Sequence, residues 1–127
     1  MIVKTPIIPE RIRKVPQSFS WIDHRLVRDG HIERCSHGAG FLYLFLVCVG
    51  DDKGLSYYGD QALMKKLSMD ETALEKARLD LVHLGLLAWQ SPLYQVLSLE
   101  PSEKIRGNGR SMLLGDILKS AMEAAHD

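Results

Sequence analysis

A chain of 127 residues with 46% hydrophobic and 25% charged side chains has the size and composition of one globular domain. We therefore expect neither a large multidomain enzyme nor a disordered chain. The 16 basic and 16 acidic side chains leave no formal net charge, so no global field attracts the protein to nucleic acid or to a membrane. Any such binding must come from a local cluster of charges.

Cysteine usage and the N-terminal sequence predict a protein of the reducing cytoplasm. Cys35 and Cys48 show no disulfide framework, and the first ten residues lack the apolar stretch of a signal peptide. The longest uncharged segment, residues 35 to 50, has a continuous apolar part of only nine residues. A bilayer span needs about 20, so this segment is predicted to be a buried helix of a soluble domain.

The basic excess lies at the N-terminus. Residues 1 to 34 contain seven basic and four acidic side chains, whereas residues 51 to 100 contain five and eight. The densest basic group consists of Arg11, Arg13 and Lys14. Prolines on both sides of this group disfavour helix. Residues 1 to 17 are therefore predicted to form an extended basic arm, which is either a solvated terminus or a segment that contacts phosphates.

After the basic arm, a domain is predicted over residues 18 to 99. Phe19 and Trp21 alternate with small or polar residues, which favours a short strand. Asp23 is the predicted N-cap of a short helix that Gly30 ends.

Residues 36 to 50 are predicted to form the central helix, with Ser36 as its N-cap. One apolar face contains Leu42, Phe45, Leu46 and Val49, and a second contains Phe41, Leu44 and Cys48. A helix that is apolar all round belongs at the centre of a domain, so both faces are expected to be buried.

A helix-turn-helix pattern follows. A brief strand in GLSYY leads to a helix at residues 59 to 67, where Leu63 and Leu67 share one side. Asp70 is the predicted N-cap of the next helix, which Gly85 ends. The apolar residues of that helix recur at three and four positions and are Leu74, Ala77, Leu81 and Leu84.

The C-terminal third is predicted to hold a hairpin, a linker and a last helix. Residues 86 to 90 and 93 to 99 favour two strands joined by a very short turn. Residues 100 to 110 are polar and mark a linker, and residues 111 to 125 favour an amphipathic helix. Its apolar face, the predicted homodimer interface, consists of Leu113, Leu114, Ile117, Leu118, Ala121 and Ala125. The alternative is that this helix packs on its own domain, over residues 36 to 50.

The order of these elements is that of a winged helix-turn-helix, a mainly α-helical α+β fold with a small antiparallel hairpin. LSMDETALEKARLDLVHLGLL resembles the turn and third helix of bacterial winged-helix proteins, with a small and an apolar residue before a polar cap and a closing Leu-Gly-Leu. These positions are Ser68, Met69, Asp70, Ala77, Leu84, Gly85 and Leu86. The upstream sequence FSWIDHRLVRDGHIERCSHGAGFLYLFLVCVGDDKGLSYYGD is similar to winged-helix domains of bacterial replication-initiation and primosome proteins. TPIIPERIR with SWIDHRLVRDG also resembles small proteins carried beside bacterial mobile elements.

This resemblance implies a protein that binds double-stranded DNA without catalysis, cofactor or metal. It implies either a transcriptional regulator or an accessory factor of replication or of a mobile element, with the third helix in the major groove. The expected DNA contacts are Arg11, Arg13, Lys14, Lys65, Lys66, Thr72, Ala73, Lys76 and Arg78.

The third helix departs from the family pattern in its first turn. Asp70 and Glu71 stand where DNA-reading members place Arg, Lys, Gln, Asn or Ser, and carboxylates repel phosphate. The wing is short and brings no charge at Gln90 and Ser91. The alternative hypothesis is therefore a winged helix that docks a recombinase or a replication factor and has little affinity for DNA.

Two other patterns are interpreted as structural. Cys35 and His37, with His24, His31 and Cys48 elsewhere, lack the paired spacing of a zinc site, and no third group marks a nucleophilic cysteine. The aromatic side chains are predicted to be core or cross-strand partners rather than platforms for stacking bases. These are Trp21, Tyr57, Tyr58 and Trp89.

Overall fold

The computed structural model describes residues 2–99. They form an α-rich α+β fold with a small antiparallel sheet. The helices are α1 (Arg25–Arg28), α2 (His31–Arg34), α3 (His37–Val49), α4 (Asp60–Leu67) and α5 (Glu71–His83). The strands are β1 (Leu55–Tyr57), β2 (Leu87–Gln90) and β3 (Leu93–Val96). The predicted linker and the predicted dimerisation helix, residues 100 to 125, lie outside the described residues.

The three strands form one antiparallel sheet in the order β1-β3-β2. Tyr94 of the central strand pairs with Ser56 on one side and with Trp89 on the other, and its side chain is fully buried. The predicted hairpin is confirmed, and the brief strand predicted in GLSYY adds a third strand to it. The element order is compatible with a winged-helix layout.

The helix-turn-helix pair has the predicted boundaries. Ser68 ends α4 in the left-handed region with φ 54°, and the Asp70 carboxylate accepts the N–H of Ala73 at 2.7 Å as the N-cap of α5. Gly85 follows α5 with φ 74°, a conformation that glycine adopts without a steric penalty. The side of α5 that faces the core carries Leu74, Ala77, Leu81 and Val82.

Helix α3 begins where the sequence predicts, because the Ser36 hydroxyl accepts the N–H of Ala39 at 3.2 Å. Its burial is less complete than predicted. Leu42 and Leu46 are fully buried, but Phe41 and Leu44 are 49% and 45% exposed, and Cys48 is exposed as well. The prediction of two buried faces is wrong, because α5 and the sheet cover only one side of α3 within residues 2–99.

The segment before α1, residues 2–22, is named the N-terminal segment, and residues 23–99 are the folded body. A single 3₁₀ turn at Pro9–Arg11 is the only regular element in the N-terminal segment. The predicted strand around Phe19 and Trp21 is wrong: no strand pairs with this stretch, and alternation alone cannot supply the missing ladder of hydrogen bonds.

The junction between these two parts was predicted in outline. The Asp23 carboxylate accepts the backbone N–H of Arg25 at 2.9 Å, but the N-cap of α1 is His24, so the predicted N-cap is one residue too early. Gly30 ends α1 with φ 79°, but α2 begins at the next residue. This second short helix was not predicted, because four residues contain too few apolar positions to show a period.

Candidate nucleic-acid interface

The side of α5 that faces away from the core lines an open groove of about 740 Å³, the outer groove. Its opposite wall is the α2–α3 junction. The residues that line it are Arg34, Cys35, Ser36, Thr72, Glu75, Lys76, Leu79, Asp80 and His83. Thr72, Lys76, Leu79 and His83 recur at helical spacing, so one stripe of α5 remains uncovered over about three turns.

A hydrogen bond between α5 and the start of α3 holds one wall of the outer groove in place. The Asp80 carboxylate accepts the backbone N–H of Ser36 at 2.9 Å, which connects α5 to the start of α3. Burial, and then the charge of Asp80, raise the pKa of the Cys35 thiol. The thiol therefore stays protonated near neutral pH, and this part of the groove offers no activated nucleophile.

The charge of the exposed α5 face is mixed. Lys76 is its cation, whereas Glu71 and Glu75 place two carboxylates in the first two turns. Asp70 is not free to turn outward, because its carboxylate caps the helix. The acidic start of the helix is thus a structural cap followed by two exposed glutamates. All three carboxylates therefore repel an approaching anion.

Arg78 does not belong to this interface. Its side chain is 5% exposed, and its guanidinium donates to the Asp60 carboxylate at 2.8 Å and to the Tyr94 hydroxyl at 2.9 Å. The guanidinium also lies over the ring of Trp89, 3.9 Å from its centroid. The prediction that Arg78 contacts DNA is wrong, because this residue faces inward and joins α5, α4 and the hairpin.

The Arg78 guanidinium stays charged although it is buried. Burial by itself lowers the pKa of Arg78, but the hydrogen bonds with Asp60 and Tyr94 outweigh it and raise that pKa. Burial raises the pKa of Tyr94, so its hydroxyl keeps its proton. This group could not be predicted from the sequence, because Asp60 and Tyr94 lie 18 and 16 residues away from Arg78.

The other predicted contacts are accessible. Lys65 and Lys66 are exposed in the last turn of α4, and Thr72, Ala73 and Lys76 are exposed on α5. Arg11, Arg13 and Lys14 of the basic arm are exposed too. Within residues 2–99, none of these basic side chains forms an ion pair.

The structure does not bring the basic arm and α5 together in one site. The N-terminal segment meets the body at the end of α3, where the Ser20 hydroxyl donates to the Cys48 carbonyl at 3.4 Å. The outer groove lies at the start of α3. A helix of 13 residues is about 20 Å long, so the two regions are separated by the length of α3.

The aromatic residues divide into two pairs. Tyr58 packs edge-to-face on Phe45, with ring centroids 5.1 Å apart, and Trp89 packs against Tyr94, as predicted. The same prediction is wrong for Trp21, which is 75% exposed and lies in no strand, whereas Tyr57 is 72% exposed but pairs with Leu93 across the sheet. The sequence pattern cannot distinguish the packed rings of Tyr58 and Trp89 from the exposed rings of Trp21 and Tyr57. Burial depends on which elements pack above each ring.

A second cavity of about 550 Å³, the sheet groove, was not predicted. It lies between α3 and the chain that follows β3. Its apolar walls are formed by Tyr43, Leu46, Val47, Val96, Leu97 and Leu99. Asp51, Asp52 and Lys53 line one side, and Phe19 and Trp21 line another.

Residues 2–99 contain neither a cluster of metal ligands nor a helix that could span a membrane. No group of three or more His, Cys, Asp or Glu side chains there is placed to hold a metal ion. In the same range, no helix is long and apolar enough to cross a membrane.

Comparison of the chain with protein-family models, with curated proteins and with solved structures gave no match.

Proposed function

We propose that residues 18–99 are a winged helix-turn-helix module that binds double-stranded DNA. In this proposal α5 lies in the major groove and the β2–β3 hairpin is the wing. The support is the arrangement of α4, a left-handed turn at Ser68, α5 and the hairpin in direct succession. The buried group of Arg78, Asp60 and Tyr94 holds these three elements in a fixed relation.

The observation that carries the proposal is the asymmetry of α5. Its inner side is packed in the core and anchored by Arg78, whereas its outer side stays open along the outer groove. A recognition helix needs both properties, because base contacts require an uncovered side chain on a rigid support. Thr72, Ala73 and Lys76 are the side chains in position to face base edges or phosphates.

Phosphate contacts come from two places in this proposal. Lys65 and Lys66 flank the turn before α5. The basic arm supplies Arg11, Arg13 and Lys14. Lys14 lies six positions before the attachment point at Ser20, and an extended chain of that length spans about 20 Å. The arm is thus long enough to run along α3 to the outer groove.

The proposed role needs no chemistry from this domain. A DNA-binding module of this kind acts as a transcriptional regulator or as an accessory factor of replication or of a mobile element. Affinity is expected to be modest, because Glu71 and Glu75 repel the phosphates near the bases that α5 reaches.

Fluorescence anisotropy with a random duplex, over a series of salt concentrations, tests the proposal. Replacing Arg11, Arg13 and Lys14 with Ala should flatten the slope of log affinity against log salt by about two to three, at roughly 0.9 per phosphate contact. The Lys65→Ala, Lys66→Ala variant should flatten it by about two on the same basis. Replacing the exposed Arg28 and Lys53 with Ala removes the same charge as the Lys65, Lys66 variant, and this control should leave the slope unchanged.

The Glu71→Gln variant tests α5 itself. Glu71 is exposed and the cap is Asp70, so the substitution removes one charge and leaves the helix start intact. Affinity for random duplex should rise, whereas Glu33→Gln on α2 should change it less. Unchanged or lower affinity for Glu71→Gln would show that this face of α5 does not meet DNA.

A second candidate function is docking of a protein, such as a recombinase or a replication factor. It is favoured by Leu79, a large apolar side chain 51% exposed in the outer groove beside Glu75 and Asp80. A wild-type chain without measurable affinity for duplex at low salt, combined with capture of such a factor that Leu79→Ser abolishes, would favour docking over DNA binding.

A further inference from the structure

The N-terminal segment exposes an unusual amount of apolar surface. It holds nine of the fifteen large apolar side chains that are exposed among the described residues. We name these nine the apolar strip: Ile2, Val3, Ile7, Ile8, Ile12, Val15, Phe19, Trp21 and Ile22. The Ser20–Cys48 contact is the one hydrogen bond between the N-terminal segment and the body within residues 2–99.

An exposed apolar surface of this size is expected to be buried against another protein surface. Full burial of a large aliphatic side chain corresponds to roughly 60–120 Å² of apolar area. The side chains of the strip together therefore expose several hundred Å² of apolar area. For comparison, one side of a standard interface buries about 800 Å². Exposed apolar surface of this extent marks a site of interaction rather than a solvated terminus.

The body carries a surface that complements the strip. The sheet groove has apolar walls from α3 and from the chain after β3, and Asp51 and Asp52 form an acidic edge beside Lys53. Arg25 lines the groove as well, but its charge is paired with that of Asp23. The Asp51 carboxylate accepts the N–H groups of Lys53 and Leu55 at 2.9 and 2.8 Å. These hydrogen bonds lower its pKa, so the edge stays negatively charged near neutral pH.

The charges of the two surfaces are opposite. The basic arm interleaves Arg11, Arg13 and Lys14 with Ile12 and Val15 of the apolar strip. A segment that combines apolar and cationic side chains fits an apolar groove with an acidic edge, because both kinds of contact form in one register.

We propose that the N-terminal segment of each chain packs in the sheet groove of a second copy, so that two copies exchange their segments. Each copy carries one strip and one groove, and a two-fold axis satisfies both at once and closes the assembly. This inference goes beyond DNA binding and does not depend on it. In the exchanged dimer the basic arm lies at the acidic edge of the second copy, so the dimer and a duplex compete for Arg11, Arg13 and Lys14.

A second copy suits the sheet groove better than the chain's own segment. Phe19 and Trp21 of the same chain line the groove, yet they remain 63% and 75% exposed. Ile12 and Val15 of the same chain are 58% and 79% exposed and do not line the groove. The chain's own segment therefore leaves both the strip and the groove uncovered, and a second copy supplies the missing surface for each.

Sedimentation or light scattering of the full chain over a concentration series tests the exchange. The wild-type chain should be a dimer. Replacing Ile7, Ile8 and Ile12 with Ser should weaken dimerisation at least about tenfold, and these side chains are exposed, so folding is unaffected. The matched control replaces three exposed apolar residues of the body, Val27, Ile32 and Leu44, with Ser and should stay dimeric.

The acidic edge and the C-terminal residues need separate variants. Asp52→Lys reverses one exposed charge on the edge and should also weaken the dimer. Leu114→Asp and Ile117→Asp disrupt the dimer interface predicted from sequence in residues 111 to 125, and the exchanged dimer should survive them. A wild-type monomer at every concentration overturns the proposal. A dimer that only these C-terminal substitutions abolish overturns it as well.

Cross-linking between two tagged copies identifies the contact directly. One copy carries Val15→Cys and the other Ser98→Cys, both in a background with Cys35→Ser and Cys48→Ser. A disulfide between differently tagged copies is expected, because Ser98 lines the sheet groove. Lys66→Cys on α4 replaces Ser98→Cys as the control. Equal cross-linking at Lys66→Cys and Ser98→Cys would contradict the exchange.

Discussion

The N-terminal segment and the folded body differ in what their apolar residues contact, although both are rich in them. In the body, side chains such as Leu42, Leu63 and Leu81 are fully buried, because helices and strands bring residues distant in sequence together. In the N-terminal segment, Ile2 and Ile7 are 90% and 96% exposed. Apolar content alone therefore does not build a core; it also needs regular elements whose apolar faces meet.

The largest expected difference between these regions is in stability. Leu81→Ala should lower the free energy of unfolding by about 2–5 kcal/mol, because it removes buried contacts and leaves a cavity. Ile7→Ala should change it by less than about 0.5 kcal/mol at a concentration low enough to keep the chain monomeric. Urea denaturation followed by circular dichroism measures both. A comparable loss for Ile7→Ala would mean that this residue is already buried in solution, as in the exchanged dimer, and dilution would then remove that loss.

The same contrast between buried and exposed side chains exists within α5, where Arg78 is buried and Lys76 is exposed. Arg78→Met should cost about 1–3 kcal/mol, because it leaves the buried Tyr94 hydroxyl without its partner. Asp60 adds little, since its side chain is 44% exposed and water replaces the guanidinium. Lys76→Met should leave stability within about 0.5 kcal/mol.

The same two variants separate structure from DNA contact. If Lys76 contacts a phosphate, Lys76→Met lowers the salt slope by about one, and Arg78→Met leaves the slope of the folded protein unchanged. A lower slope for Arg78→Met in protein that circular dichroism shows to be folded would contradict the inward position of its guanidinium.

The smallest expected effect is at the boundary between segment and body. Hydrogen bonds from Arg25 lower the pKa of Asp23 from 3.8 to about 2, and the two side chains form an ion pair at 2.7 Å. Because the pKa in the folded protein lies below the ordinary value, the ionised carboxylate favours folding above pH 3.8. That contribution should disappear as the pH falls to about 2. Carboxyl chemical shifts measure the pKa, and Asp23→Asn should remove this part of the pH dependence of unfolding.

Local signals account for the parts of the fold that were predicted correctly. Ser36 and Asp70 are caps whose side chains bond the N–H three residues later, and such bonds depend on a few neighbouring residues. Gly85 and the short hairpin are equally local. The errors concern contacts between distant residues, as with the predicted strand around Phe19 and Trp21, which has no partner strand.

The sequence by itself determined the order of α3, α4, α5 and the hairpin, and it located the basic arm. The predicted ends of these helices are within one residue of the observed ones, whereas the last strand ends at Val96 and not at residue 99. Periodicity and caps are encoded within a helix or a turn, so they are visible without the rest of the molecule. The tertiary structure alone decided that Arg78 is buried while Lys76 is exposed, although both are basic residues of one helix. It also decided that residues 2–99 leave the outer side of α3 uncovered and that a sheet groove opens beside it. Burial depends on which elements pack together, and that packing joins residues tens of positions apart in the chain.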